Sequence, residues 1–378
     1  TSGAVMPEGD AAKSEILEIT QNTHYAATNT PVSATMGNED FSAEVILHKY
    51  DTVSGDPIEG AVFQLVYTSE GGTSSTSKRY TTAPDGTLTL QNLEKGTYVL
   101  TELSNTGYES NNFSATFTID NDDDDKTFDI KNVSDGDDID FTVTSAASTF
   151  EDGKGIPNTP QPGRITLSKT DDQGNALNDA TFRLEINDGG TWKTVVDNLV
   201  TGRTYTLNDA NDGIKSTGAN GVKGQLSVGN LHWGTYRFVE TSPTPGYIGV
   251  ANDGSAITSK EVAVGRNNLN PSLTGSNAVP NKPTSLEINK QNEVHQPLAG
   301  AEFKVTPVDG TFADDTTTAK TLTSDSTGLA VLNGQLVVGT TYQIFESKGP
   351  SGYDPADEIL TIKVAENGDL EVVGDMPD

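Results

Sequence analysis

The chain has no cysteine in its 378 residues. That excludes a disulfide framework and any thiolate metal site. Its four histidines form no pair at a metal-ligand spacing, so there is no zinc signature and no metal is expected. Basic residues are scarce: 24 Lys and Arg stand against 54 Asp and Glu, for a net charge of −30. Nucleic acid is therefore a poor partner, because phosphate binding needs basic patches. An anionic lipid surface is disfavoured on the same ground. No apolar run reaches the roughly 18 residues of a spanning helix, so no membrane insertion is expected. No signal peptide is visible, and a start at Thr1 rather than Met reads as a mature or trimmed form. A GxSxG elbow, a phosphate loop and a His-centred triad are all missing. Neither an enzyme of repeated turnover nor a cofactor is expected.

What is present points to β-structure. Only 33% of the residues are hydrophobic, while glycine alone numbers 38. This composition fits many short strands joined by turns, not helices. The length suits two or three domains.

The chain repeats itself. VILHKYD (45–51), ITLSKTD (165–171) and LEINKQN (286–292) each read as a strand with side chains alternating between two faces. On one face lie Val45, Leu47 and Lys49, then Ile165, Leu167 and Lys169, then Leu286, Ile288 and Lys290. Each lysine ends an apolar stripe and points at the core. Burying an ammonium without a partner costs several kcal/mol, so the recurrence asks for a chemical cause. The lysines recur after 120 and 121 residues, a domain-sized period. After each comes a small residue and, two positions on, an aromatic: Ala61 and Phe63, Ala180 and Phe182, Ala301 and Phe303. Turn dipeptides follow at Asp85-Gly86, Asn220-Gly221 and Thr327-Gly328. A third motif puts a glutamate at the end of a stripe: Tyr98, Leu100, Glu102; Tyr236, Phe238, Glu240; Tyr342, Ile344, Glu346. Gly-Tyr closes it at 107–108, 246–247 and 352–353.

Each repeat thus offers one inward lysine and one inward glutamate. About seven short strands per repeat suggest an immunoglobulin-like antiparallel sandwich. The joints GIPNTPQPGR (155–164) and AVPNKPTS (278–285) carry prolines around an asparagine and read as stiff connectors. Ile156 and Asn158, and Val279 and Asn281, lie two apart on one face. A buried Lys beside a buried carboxyl is either an ion pair or a reactive pair. In an apolar pocket the amine pKa falls and the acid pKa rises, so both groups can be neutral. A neutral amine is a nucleophile, and a protonated acid can polarise an amide carbonyl and shuttle protons. An Asn carboxamide held against the amine would lose ammonia and leave a Lys–Asn isopeptide bond.

The lysine strand, the glutamate motif closed by Gly-Tyr and the Asn beside Pro resemble CnaB-type domains. These are the collagen-adhesin B-like modules of Gram-positive surface proteins and sortase-assembled pili. The resemblance spans nearly all of residues 41–378. It implies three tandem all-β immunoglobulin-like sandwiches in an elongated rod: 41–160, 161–283 and 284–378, after an N-terminal leader or extra strand over 1–40. It also implies autocatalytic intramolecular isopeptide bonds, each a single-turnover event. Lys49 would join Asn158 with Glu102 promoting, and Lys169 would join Asn281 with Glu240 promoting. Lys290 and Glu346 would form a third site. In the first domain Asn132, which also ends an apolar alternation, is an alternative to Asn158. The third domain shows no joint-type Asn before Asp378, which reads as a fragment or as a domain without the bond.

The implied function is a cell-wall-anchored pilus subunit, minor or atypical, or a surface adhesin, located outside a Gram-positive cell. Its partners would be other pilin subunits, through sortase-made covalent links, and a host-surface or matrix ligand. No Tyr-Pro-Lys motif or LPxTG-like signal is present, and Lys154 is a weak candidate for an intersubunit lysine. A different class remains open: a carbohydrate-binding sandwich array of a secreted enzyme, in which Trp192 and Trp233 would stack on sugars. The acidic run 120–125 could bind Ca²⁺, but it lacks the glycine and distal glutamate of an EF-hand loop and reads as a solvated hairpin tip.

Overall fold

A computed structural model describes residues 42–120, 127–130, 141–145, 155–208, 218–251 and 254–374. Asn132, Lys154, the leader over 1–40 and all of the acidic run except Asp120 lie outside the described residues. The chain divides into two compact units, one ending at Thr159 and one running from Pro160, with residues 106–108 belonging to the second.

In the first unit the strands are β1 (Ala43–Asp51), β2 (Val62–Ser69), β3 (Ser75–Thr81), β4 (Thr87–Leu93), β5 (Gly96–Ser104), β6 (Ser114–Ile119), β7 (Thr127–Ile130), β8 (Thr142–Ser145) and β9 (Ile156–Asn158). One sheet has the order β4-β1-β7, with β9 also pairing with β1. The other has the order β3-β2-β5-β6-β8. Val45, Leu47 and Leu90 from one sheet and Phe63, Leu100 and Phe117 from the other are buried between them. The two parallel partners divide β1. β7 pairs with Glu44 to Leu47, and β9 takes over from Lys49 to Asp51.

The second unit continues with β10 (Gly163–Ser168), β11 (Thr181–Asp188), β12 (Thr191–Val200), β13 (Arg203–Thr206), β14 (Ala219–Asn220), β15 (Gln225–Leu231), β16 (Gly234–Ser242), β17 (Tyr247–Ile248), β18 (Val262–Val264), β19 (Ser272–Leu273) and β20 (Lys282–Pro283). Sheets of order β14-β13-β15-β10-β19 and β12-β11-β16-β18 enclose a core that includes Leu167, Phe182, Leu226 and Phe238. It ends with β21 (Ser285–Asn289), β22 (Glu302–Pro307), β23 (Lys320–Thr323), β24 (Leu329–Asn333), β25 (Thr341–Lys348), β26 (Ile359–Val364) and β27 (Leu370–Val372). Here β21-β24 faces β23-β22-β25-β26-β27 over a separate core containing Leu286, Phe303, Tyr342 and Ile344. The fold is thus all-β, with mainly antiparallel sheets forming three two-sheet sandwiches, as the alternation in the sequence predicts.

The repeat extends to details that the alternation does not reveal. Ala61, Ala180 and Ala301 are fully buried, and each backbone N–H donates to the hydroxyl of the residue that follows a strand: Thr82 after β3 at 3.0 Å, Thr201 after β12 at 3.1 Å and Ser324 after β23 at 3.0 Å. Each lysine is followed two positions on by a residue whose side-chain oxygen forms a turn. Asp51 Oδ1 accepts from Val53 N, Asp171 Oδ1 from Gln173 N, and Asn292 Oδ1 from Val294 N.

One expectation needs correction. The sequence suggests Asn220-Gly221 as the second-domain counterpart of Gly86 and Gly328. In the structure that place belongs to Gly224. Lys49 N donates to Gly86 O, Lys290 N to Gly328 O, and Lys169 N to Gly224 O at 2.6 Å. Asn220 instead ends β14. The reason is close approach. A Cβ on Gly224, at φ +72°, would stand 2.9 Å from the Lys169 carbonyl oxygen, and one on Gly86 would stand 2.5 Å from that of Lys49. Gly224→Ala is therefore expected to cost at least about 1 kcal/mol through left-handed strain and backbone contact, and Gly221→Ala, with no positive φ, less. Chemical denaturation of the two variants checks this ordering.

Candidate functional site: buried amine, acid and carboxamide

The site in the first unit grows from the β1 register. Alternation buries Lys49 beneath Leu47, leaving the lysine 2% exposed. Glu102 enters from β5 on the opposing sheet, beyond Leu100. β9 lies parallel to β1 with Asn158 opposite Asp51, and Thr52 N donates to Asn158 O at 3.0 Å. Three side chains from three strands converge. Lys49 Nζ lies 3.2 Å from Glu102 Oε2 and donates to Pro157 O at 2.9 Å. Asn158 Nδ2 donates to the other carboxyl oxygen, Glu102 Oε1, at 2.8 Å. One carboxyl group thus bridges the amine and the carboxamide.

The second site repeats this arrangement 120 residues on. Lys169 on the β10 stripe, Glu240 on β16 and Asn281 at the joint are all buried. Asn281 forms a parallel bridge to Asp171, the same register as Asn158 on Asp51. Lys169 Nζ lies 3.7 Å from Glu240 Oε1 and donates to Val279 O at 2.6 Å, while Asn281 Nδ2 donates to Glu240 Oε2 at 2.8 Å. Glu240 Oε1 and Asn281 Oδ1 are buried without a hydrogen bond. Burying a polar atom without a partner is costly.

Electrostatics separates these groups from ordinary ion pairs. Burial pulls the Lys49 pKa down to about 8 against the opposing attraction of Glu102. Burial likewise lowers Lys169 and raises Glu240, again against their mutual attraction. Both shifts favour uncharged partners. Glu185 provides the contrast. Burial opposes its ionisation too, yet Arg183 and Arg237, each 2.7 Å away, hold its carboxyl below the usual range. Two guanidiniums hold the Glu185 carboxyl low, where one desolvated lysine does not offset the burial of Glu240.

The third site is incomplete among the described residues. Lys290 Nζ donates to Glu346 Oε2 at 2.7 Å, and Ala356 N donates to the same oxygen at 2.8 Å. Among the described residues no carboxamide joins them, and β21 pairs with β24 alone. Lys290 is also more open than its counterparts, with a side chain 20% exposed.

Other residues singled out by sequence have packing roles here. Trp192 lies under the Arg237 guanidinium, 4.2 Å from its ring centre, and Trp233 Nε1 donates to Gln161 O at 3.0 Å. Sequence reasoning missed Asn111, whose Nδ2 donates to Glu102 Oε2 at 2.8 Å. It lies in a strandless segment, so no alternation marks it.

The pKa directions give a test. Asn281→Ala removes the carboxamide and leaves Lys169 and Glu240 unlinked. A raised acid pKa means the folded state holds a proton that the unfolded state, at 4.5, has released, so this contribution to stability falls as pH rises above 4.5. A lowered amine pKa means the unfolded state, at 10.5, binds the extra proton, so the contribution recovers as pH climbs towards 10.5. Urea unfolding across pH is expected to show a stability trough near neutrality in Asn281→Ala. Asn281→Ala/Lys169→Met/Glu240→Gln is expected to lack it, and superimposable profiles would contradict the assigned shifts.

The comparisons with known proteins follow the same repeat. The family model for the SpaA prealbumin-like fold domain matches residues 43–134, 163–277 and 284–376. Among curated proteins none matches the chain in sequence. Solved structures with some likeness include the Bacillus anthracis TIE protein, at 20% identity and a TM-score of 0.43. The alignment covers 88% of this chain and 49% of that one, so the chain spans about half the length of that protein. They also include BcpA, the major pilin subunit of Bacillus cereus, at 16% identity and a TM-score of 0.35, covering 86% and 96%. A third is the major pilin SpaD of Corynebacterium diphtheriae, at 18% identity and a TM-score of 0.34, covering 87% and 93%. With three matched segments that together make up most of its length, the chain belongs to the SpaA prealbumin-like domain family.

Proposed function

We propose that the chain is a pilus subunit or surface adhesin of a Gram-positive bacterium, built from modules over 41–160, 161–283 and 284–378 and stapled by intramolecular isopeptide bonds. The observation that carries this reading is the carboxyl bridge between amine and carboxamide, present twice in the same strand register. Lys49 joins Asn158 and Lys169 joins Asn281. Membership of the SpaA family supports the surface role. Sortase-made links to other subunits, attachment to the cell wall and a host-surface ligand belong to the same proposal. Lys290 and Glu346 are the amine and acid of a third site whose carboxamide is not among the described residues.

The chemistry follows from the contacts. Neutral Lys49 Nζ attacks Asn158 Cγ, forming the new C–N bond. Glu102 Oε2, beside the amine, takes its proton. The carboxyl, hydrogen-bonded through Oε1 to Nδ2, returns a proton to that nitrogen. The Cγ–Nδ2 bond breaks and ammonia leaves. Proton uptake and delivery by one acid balance within the site, and holding the reactants in contact supplies most of the rate. The second site uses Glu240 in the same two roles.

The product suits a protein under tension. A cross-link closing roughly 100 residues removes about 4.7 kcal/mol of unfolded-state entropy in the loop model for disulfides. It also joins the first strand of a sandwich to its last, so force passes through covalent bonds and not the hydrogen-bond ladder. In a chain without cysteine this is the available staple.

Intact-mass spectrometry tests the reading. The purified chain is expected to weigh two ammonia molecules less than its sequence. Glu240→Ala should recover one ammonia and lower the melting temperature by on the order of 10 °C. A wild-type mass equal to that of the sequence would refute the proposal, and an unchanged deficit of two ammonia molecules in Glu240→Ala would remove the role given to that acid.

A further inference from the structure

The two complete sites differ in what faces the carboxamide oxygen. In the second, Asn281 Oδ1 has no hydrogen bond. In the first, Asn111 Nδ2 donates to Asn158 Oδ1 at 2.5 Å. Asn111 is oriented for this contact: its own Oδ1 accepts from Phe113 N at 3.0 Å, which turns the NH₂ group inward. That NH₂ also reaches Glu102 Oε2 at 2.8 Å and Pro157 O at 3.0 Å. Pro157 O is in turn an acceptor for Lys49 Nζ. Asn111 therefore touches the acid, the backbone that holds the amine and the oxygen of the group under attack.

We infer that Asn111 is a catalytic residue of the first cross-link, acting as the donor that stabilises the oxyanion formed on Asn158 Oδ1. The inference rests on the proposed Lys49–Asn158 bond. As Lys49 Nζ adds to Cγ, the carbonyl π pair moves onto Oδ1 and negative charge builds there. A donor already in place and held by a backbone N–H needs no reorganisation to meet it. Glu102 cannot fill this role while its Oε1 faces the nitrogen of the same carboxamide. When the tetrahedral intermediate collapses, the pair returns to the carbonyl, ammonia departs and Asn111 is left unchanged.

The repeat shows that the position, not the residue, recurs. Glu102 N donates to Phe113 O and Glu240 N to Ile257 O, which sets Asn111 level with Ser255. In the third repeat Phe345 pairs with Ile359, and the donor reaching the acid from this segment is the backbone N–H of Ala356. Among these segments, only that of the first repeat places a side-chain amide on the carboxamide oxygen in the contacts described.

The test uses the full chain as wild type, Asn111→Ala and Asn111→Ser, isolated after brief expression, held at 25 °C and followed by intact mass and peptide mapping. Wild type is expected to carry Lys49–Asn158 on isolation. Asn111→Ala is expected to carry the Lys169–Asn281 bond but to close the first bond about 10²–10³ times more slowly, the usual loss for one oxyanion donor. Asn111→Ser, which keeps a donor on a shorter arm, should close faster than Ala. Glu102→Gln, unlinked in the first domain, gives the melting reference. An Asn111→Ala chain that melts with it while still closing slowly is folded and chemically impaired. Equal rates for wild type and Asn111→Ala, equal rates for Ala and Ser, or a wild-type Lys49–Asn111 peptide would each overturn the role of Asn111. A wild type with no bond at Lys49 would overturn the cross-linking reading as well.

Discussion

The structure depends on a carboxyl group placed where water cannot dilute its influence. An ammonium and a carboxylate in solvent would form a weak, screened pair with both charges intact. Enclosed by Phe, Leu and Val side chains, such groups lose the solvation that favours charge, and the pKa values of Lys169 and Glu240 move towards each other. A buried pair of this kind adds little to stability by itself. In the proposed cross-linking its value lies in reactivity: the amine becomes a nucleophile, and the acid can accept and return a proton. Glu185 shows how narrow the condition is. Burial opposes its ionisation too, but two arginines hold its carboxyl below the usual range.

The sandwich supplies the geometry that this chemistry requires. Lysine and acid come from opposing sheets, and the asparagine comes from a short segment lying parallel to the lysine strand. The parallel pairing sets Asn158 on Asp51 and Asn281 on Asp171, one alternation past each lysine. A slip of one residue would turn the carboxamide to the other face. In the proposed function the Ile-Pro-Asn and Val-Pro-Asn joints serve two purposes: they end one module, and they carry the last reactant into its core.

Much of this was legible in the sequence because alternation is a strong signal. Lys49, Lys169, Glu102 and Glu240 end apolar stripes, and a stripe fixes the face on which its last residue lies. Asn158 and Asn281 were legible for a second reason, since proline on either side marks a joint that recurs. Other features had no periodic signature. Asn111 sits between strands, and its role depends on a contact with Asn158, 47 positions away. The buried hydroxyls of Thr82, Thr201 and Ser324 look like ordinary strand residues until their partners on the small-residue turns are seen. Gly224 was missed because Asn220-Gly221 has the stronger turn composition, while close approach to the Lys169 carbonyl is a property of three dimensions. The third site showed its amine and acid but, within the described residues, no carboxamide to complete them.

Electron density at atomic resolution across the second site tests the account most directly. It predicts continuous density from Lys169 Nζ to Asn281 Cγ at an amide C–N length of about 1.33 Å, with the Nδ2 position vacated. Two separate side chains at van der Waals distance, with a complete carboxamide on Asn281, would contradict it.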